Sequence, residues 1–276
     1  MENSTPGWLR PMWARLTVLL VGFGAVMAVV GTLTSALAGT GVGSLVVGIG
    51  GAIGALWLYR KVIGRIEQRP VTEVDRATAR RGLGRGALLG LGLFTATFAL
   101  IAMFGGVESL GWGSAVAFLA AVGINAGAAV TEEIVFRAVL FRIVQERWGT
   151  PVALTVSALL FGLLHLVNDG ATLWGAIAIA IEAGLMLGAA YALTRSLWFP
   201  IGLHFGWNLA EGGLFGTTVS GSTNHGGLLH TVLDGSAALT GGGFGPEASV
   251  IAIAACGIPA VLFLRAARTR NRALAA

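Results

Sequence analysis

The chain has 276 residues, of which 55% are hydrophobic and only 11% are charged. A soluble domain carries about 25% charged residues, so this composition excludes an ordinary soluble fold and indicates an integral membrane protein. The net charge of +5 comes almost wholly from arginine, reads as a topology signal, and leads us to expect no nucleic-acid partner.

At about 20 residues per helical span, the length allows roughly six to nine spans. Eight apolar segments follow in order, at 14–38, 42–59, 86–104, 113–136, 151–167, 172–193, 197–212 and 247–264. The first has the outline of a cleavable signal, with Arg10 and Arg15 before it and Ala36-Leu37-Ala38 at its end. Its apolar core, Leu16 to Ala38, exceeds the roughly 7–15 residues of a signal core, so a retained span is expected. The next connection, 60–85, holds Arg60, Lys61, Arg65, Arg69, Arg76, Arg80, Arg81 and Arg85. Arg142 and Arg147 follow the fourth segment, Arg195 separates the sixth and seventh, and Arg265, Arg268, Arg270 and Arg272 follow the last. The connections 39–41, 105–112, 168–171 and 213–246 carry no arginine or lysine. With eight spans, all the basic connections lie on one side, which the positive-inside rule makes cytoplasmic.

The expected fold class is therefore an all-α integral membrane protein in the cell membrane. It is a polytopic bundle of about eight transmembrane helices, one domain over 1–276, with both termini cytoplasmic. The Gly-, Ser- and Thr-rich stretch 213–246 is expected to be a flexible extracytoplasmic loop, with His225 and His230 as solvated groups. Small-xxx-small pairs at Gly50/Gly54, Gly86/Gly90, Gly123/Gly127 and Gly184/Gly188 predict close helix packing. The single cysteine, Cys256, excludes an internal disulfide and a thiolate metal cage.

Polar residues inside spans mark function by default because they are expensive. Glu132, Glu133 and Arg137 lie late in the fourth segment, His165 in the fifth, Glu182 in the sixth, and His204 and Asn208 in the seventh. Two glutamates and an arginine facing lipid unpaired would cost roughly 8–10 kcal/mol at about 2.5–3.5 each. They must turn inward or sit near the interface. Glu133 and Arg137, at i and i+4, share a helix face and can pair. Glu132 is rotated about 100° from Glu133 and is free to point into the bundle. Helical structure is expected to continue through Arg147, bringing Glu132 toward mid-depth. Taken singly, each residue also has a bland reading: an interfacial ion pair, a hydrogen-bonding histidine, an amide that glues helices, a structural Glu182. Taken together, a carboxylate, two histidines and an amide are the parts for activating water and holding an oxyanion.

These residues also fall into three motifs. Glu132-Glu133-Ile-Val-Phe-Arg137 matches EExxxR, Phe161-Gly-Leu-Leu-His165 matches FxxxH, and His204-Phe-Gly-Trp-Asn208 matches HxxxN. Their order, their separate spans and the run Ser196-Leu-Trp-Phe-Pro-Ile-Gly-Leu-His204 resemble the CPBP (CAAX protease and bacteriocin-processing, or Abi) family of intramembrane proteases. The resemblance covers roughly residues 110–212, the expected catalytic core. It implies an intramembrane endopeptidase acting on a membrane-embedded or lipid-proximal peptide or protein. It also implies that Glu132 and His165 activate water, and that His204 and Asn208 hold the oxyanion. Glu133 and Arg137 would then fix the helix face. The family has been classed both as metalloprotease and as glutamate-dependent protease. Glu132, His165 and His204 could supply three zinc ligands with an open fourth position. The lack of HExxH favours metal-free chemistry, so the implied cofactor is none or one zinc ion. Two other classes stay open on the residues alone: a non-catalytic scaffold or immunity protein on the same fold, and a proton-coupled transporter. The lack of a visible inverted repeat weighs against the last.

Overall fold

The computed structural model describes residues 11–223 and 226–275, so Arg10 and His225 lie outside the described residues. Two long apolar helices, α1 (Met12–Ala36) and α2 (Val42–Ile66), are joined by a tight turn. Helix α3 (Arg76–Met103) starts where the Asp75 carboxylate accepts from the Ala77 amide at 3.0 Å. Strand β1 (Val107–Trp112) leads to α4 (Ala115–Glu133), whose first turn is capped by the Ser114 hydroxyl. The chain continues as a π-helical segment, Ile134–Phe141, into α5 (Arg142–Leu164). Helix α6 (Leu173–Ile179) passes through a second π segment, Ala180–Leu185, into α7 (Met186–Thr194). Helix α8 (Trp198–Asn208) runs into a third, Leu209–Leu214. Strand β2 (Leu229–Leu233), the short α9 (Ala237–Thr240) and the long α10 (Val250–Ala275) follow.

Among the described residues, six helical stretches are long and apolar enough to cross a membrane: Met12–Ala36, Val42–Ile66, Arg76–Met103, Ala115–Val167, Leu173–Thr194 and Val250–Arg270. The Ala115–Val167 stretch holds 53 residues, far beyond the roughly 20 that cross a bilayer. It bends within α5 at Gly149, whose φ of 79° and ψ of 175° suit only glycine, and Pro151 follows. Before that bend the helix runs unbroken through Arg142 and Arg147. The architecture is that of an all-α membrane protein, with one addition that hydropathy does not foretell. Strands β1 and β2 pair antiparallel, from Ser109 against Val232 to Trp112 against Leu229. Strand β2 lies within the stretch 213–246.

Glycines decide which helices touch. Lipid is as apolar as leucine, so helices associate through close packing and hydrogen bonds rather than through burial from water. Helix α3 lies against α8 with Gly86 and Gly90 facing the backbone at Phe199 and Leu203, while Gly202 and Gly206 face the backbone at Leu83 and Ala87. A side chain at any of the four would overlap main-chain atoms that cannot yield. Gly48 and Gly123 bring α2 and α4 together in the same way. Gly50 and Gly54 face open space, so that pair packs against nothing in this chain.

The arginine-rich end of the bundle is tied by ion pairs. Arg142 reaches Glu67 at 2.7 Å and Glu146 at 2.7 Å, Arg15 reaches Glu146 at 2.7 Å, and Arg69 reaches both Glu67 and Glu73 at 2.6 Å. The Tyr59 hydroxyl donates to Glu73. Burial by itself would raise both carboxyls. Arg142 and Arg69 outweigh it at Glu67, and the hydrogen bonds from Arg69 and Tyr59 outweigh it at Glu73. Both acids are therefore held below their ordinary range.

Candidate active site

The end of α4 and the π segment that follows carry Glu132, Glu133 and Arg137. Such segments insert an extra residue into a helical turn and recur at functional sites. Arg137 is fully buried and needs acceptors. It donates to Glu133 Oε1 at 2.9 Å and to the carbonyl oxygens of Ala183 and Gly184 at 3.2 and 3.4 Å. Its guanidinium also lies 4.6 Å from the centre of the Phe161 ring. One arginine thus joins the helix bearing Glu132 to the π segment 180–185 and to the helix leading to His165. Removing one partner of such a buried pair would leave an uncompensated charge.

Phe161 acts as a spacer at the centre of the site. Its ring packs 4.9 Å from the His165 ring and 6.2 Å from the His204 ring, centre to centre. His165 Nδ1 lies 2.7 Å from the Phe161 carbonyl oxygen. A carbonyl oxygen can only accept, so Nδ1 carries the proton, and in the neutral ring Nε2 keeps its lone pair. That tautomer is the one needed by a base or a water-orienting group.

His204 is held differently. Its Nδ1 lies 3.1 Å from Glu133 Oε1, and its Nε2 lies 3.9 Å from Glu132 Oε2. Glu133 is already paired with Arg137, so it accepts from His204 Nδ1–H. The ring can then donate from Nε2 only as an imidazolium. In that form two carboxylates, Glu132 and Glu133, balance two cations, His204 and Arg137. Glu132 Oε2 is buried and has no hydrogen-bond donor among the described residues.

Glu132, His165, His204 and Asn208 line one cavity of about 300 Å³. They come from the end of α4, the turn after α5, and α8. Glu133 and Arg137 do not line it; they stand behind it and aim His204. His230 lies on β2 and is not among the lining residues. Glu182 borders a small adjoining pocket together with His165, His204 and Asn208, and accepts from the Cys256 thiol at 3.3 Å. Among the described residues no three His, Cys, Asp or Glu side chains are placed to hold a metal ion together. The set Glu132, His165 and His204 therefore does not fit zinc in this arrangement, and no step below passes through a metal.

Several residues in and around the cavity are not singled out by the motifs. Asn125 donates to the Asn208 carbonyl oxygen at 3.3 Å. Asn168, three residues beyond His165, donates to the Ser220 carbonyl oxygen at 2.7 Å. Glu247, fully buried, accepts from the Trp207 indole at 3.1 Å and from the Ser220 hydroxyl at 2.5 Å. It thereby clamps the residue next to Asn208 to the strand of chain that Asn168 grips. Glu211, also fully buried, lies against Glu247. The cost of a carboxyl inside a span was a signal for Glu211 that the motif reading passed over. Glu247, at the very edge of the segment 247–264, gave a weaker signal, and its partners are distant in sequence.

Over residues 91–210 the chain matches the family model described as Rce1-like, type II CAAX prenyl endopeptidase. That model represents the CPBP family. No curated protein and no solved structure shows a significant match. The matched segment begins within α3 and ends two residues past Asn208, so it contains all three motifs. The Glu247 clamp, α1, α2 and α10 lie outside it. The match suggests an intramembrane endopeptidase.

Proposed function

We propose that the protein is an intramembrane endopeptidase that hydrolyses a peptide bond in a membrane-embedded or lipid-proximal protein. The reading is carried by one observation. Glu132, with an undonated carboxylate oxygen, faces the same cavity as Asn208 and as His165 and His204, whose rings are each held by a partner outside that set. In the proposed reaction Glu132 takes a proton from water while the lone pair of His165 Nε2 orients that water. The water oxygen bonds to the substrate carbonyl carbon, and the carbonyl oxygen takes the negative charge. His204 Nε2–H and the Asn208 amide donate to it. The C–N bond then breaks, and Glu132 passes its proton to the departing amine, returning to carboxylate. While Glu132 holds the proton, the oxyanion carries the negative charge that Glu132 has lost, so His204 and Arg137 stay balanced by Glu133 and the oxyanion.

The topology belongs to the same proposal. The bend at Gly149 divides the Ala115–Val167 stretch into two spans, and α8 with its π extension supplies another, giving eight. Both termini and the arginine-rich connections then face the cytoplasm of the cell that carries the protein in its membrane. The test is a comparison of protein termini in host membranes with wild type or Glu132→Gln at equal levels. New termini seen only with wild type, with turnover unchanged by a strong chelator, support the reading. Identical termini, with any host phenotype retained by the variant, would move the assignment to a scaffold or immunity protein.

A further inference from the structure

Two sets of arginines at the basic end of the bundle contrast. Arg15, Arg69 and Arg142 are locked onto Glu67, Glu73 and Glu146. Arg80, Arg81, Arg85 and Arg270 have no acidic partner among the described residues, yet all four line one groove of about 970 Å³. No Asp or Glu lines it. The Nε of Arg270 is shielded from solvent and finds no acceptor. Topology alone explains why arginines are at this end of the bundle. It does not explain why four of the unpaired ones converge on a single groove that no Asp or Glu lines.

The walls name the occupant. On α3, Arg81 and Arg85 are one turn apart, and Leu88 follows on the same face, about 10 Å along the helix from Arg81. Leu88 is 75% exposed, and Phe199 from α8 forms the facing wall. Gly84, between them, leaves the face open, since nothing lies near where its side chain would be. Charge at the mouth with apolar surface one to two turns deeper suits an amphiphile. A free phosphate would use the arginines and ignore the leucine. We infer that this groove between α3, the α7–α8 turn and α10 is a binding site for an anionic phospholipid, its phosphate held by the four arginines and its acyl chain laid along Leu88 and Phe199. Juxtamembrane basic pockets of this kind bind anionic headgroups. Arginine stays charged at any physiological pH, so occupancy is independent of pH in that range.

The experiment is native mass spectrometry of the detergent-purified protein, titrated with phosphatidylglycerol or with phosphatidylcholine. Phosphatidylglycerol is expected to bind preferentially. Each arginine contributes about a fivefold factor at a membrane surface, so Arg81→Gln/Arg85→Gln/Arg270→Gln is expected to lower that preference roughly 100-fold. The control removes three exposed charges elsewhere at the same end, Arg60→Gln/Lys61→Gln/Arg65→Gln, and is expected to keep most of it. Equal binding of the two lipids would overturn the inference. So would equal loss in both triple variants, which would mean diffuse surface charge. Displacement of phosphatidylglycerol by millimolar inorganic phosphate would assign the groove to a free anion instead.

Discussion

Asn208 illustrates what the geometry asks of single side chains. Its backbone carbonyl is occupied by Asn125, while its side chain lines the cavity beside His204. On the proposed mechanism its amide meets charge only when the oxyanion forms, so it acts on the transition state rather than on substrate binding. Asn208→Ala is expected to lower kcat by about 10²–10³ with little change in KM. Steady-state cleavage of a fluorogenic membrane peptide measures both. A change confined to KM would remove Asn208 from the oxyanion role. The residue scale also shows why the paired glutamates are not interchangeable. Glu133 Oε1 is held by Arg137 and His204, and Glu133 does not line the cavity, so only Glu132 presents an undonated oxygen there.

At the scale of elements, the placement of His204 and Asn208 depends on how closely α8 approaches α3. Gly90→Leu would drive a side chain into the backbone at Leu203, separating the two helices. Loss of both activity and thermal stability in detergent is the expected result. Gly54→Leu faces open space and is expected to leave both unchanged, although the two positions belong to the same sequence pattern. If both variants behave alike, the helix contact is not the cause. The segment ahead of α10 has its own part. Glu247 holds Trp207 and Ser220, and through Ser220 the Asn168 side of the cavity. Glu247→Ala is expected to reduce kcat about tenfold or more through misplacement of the oxyanion donors. Glu247→Gln, which keeps hydrogen-bonding capacity, is expected to recover most of it. Failure of Gln to recover activity would argue against a positioning role.

For the whole molecule, the ion pairs at the arginine-rich end set a dependence of stability on pH. Glu67 and Glu73 have folded-state pKa values below the ordinary value of 4.5. A depressed acid contributes its full stability above the unfolded value and loses it as pH falls through the folded value. Thermal unfolding in detergent should therefore be flat from pH 7 to 5 and drop below about pH 4.5. In Glu67→Gln/Glu73→Gln that acid-dependent drop is expected to be smaller, on a baseline already lowered at neutral pH by loss of the arginine pairs. An unchanged drop would assign the acid sensitivity elsewhere. Orientation is tested separately by a reporter fused after Gly241. An extracytoplasmic readout agrees with the eight-span arrangement, and a cytoplasmic one would refute it.

Membrane residence, helical structure and the three motifs were legible in the residues alone. Hydropathy over about 20 residues and pairing at i and i+4 are local properties that a helix converts directly into geometry. The Glu133–Arg137 pair is an example: its partners are four residues apart, and helical register brings them to 2.9 Å. The tertiary structure decided what depends on how helices rotate and cross. It placed Glu132, His165, His204 and Asn208 around one cavity, chose Gly86 and Gly90 over Gly50 and Gly54 as packing faces, and paired β1 with β2. It also brought Glu247 to Trp207 across 40 positions of chain. Contacts of that kind leave no periodic trace, because each partner is fixed by the packing of other helices and not by its own neighbours in sequence.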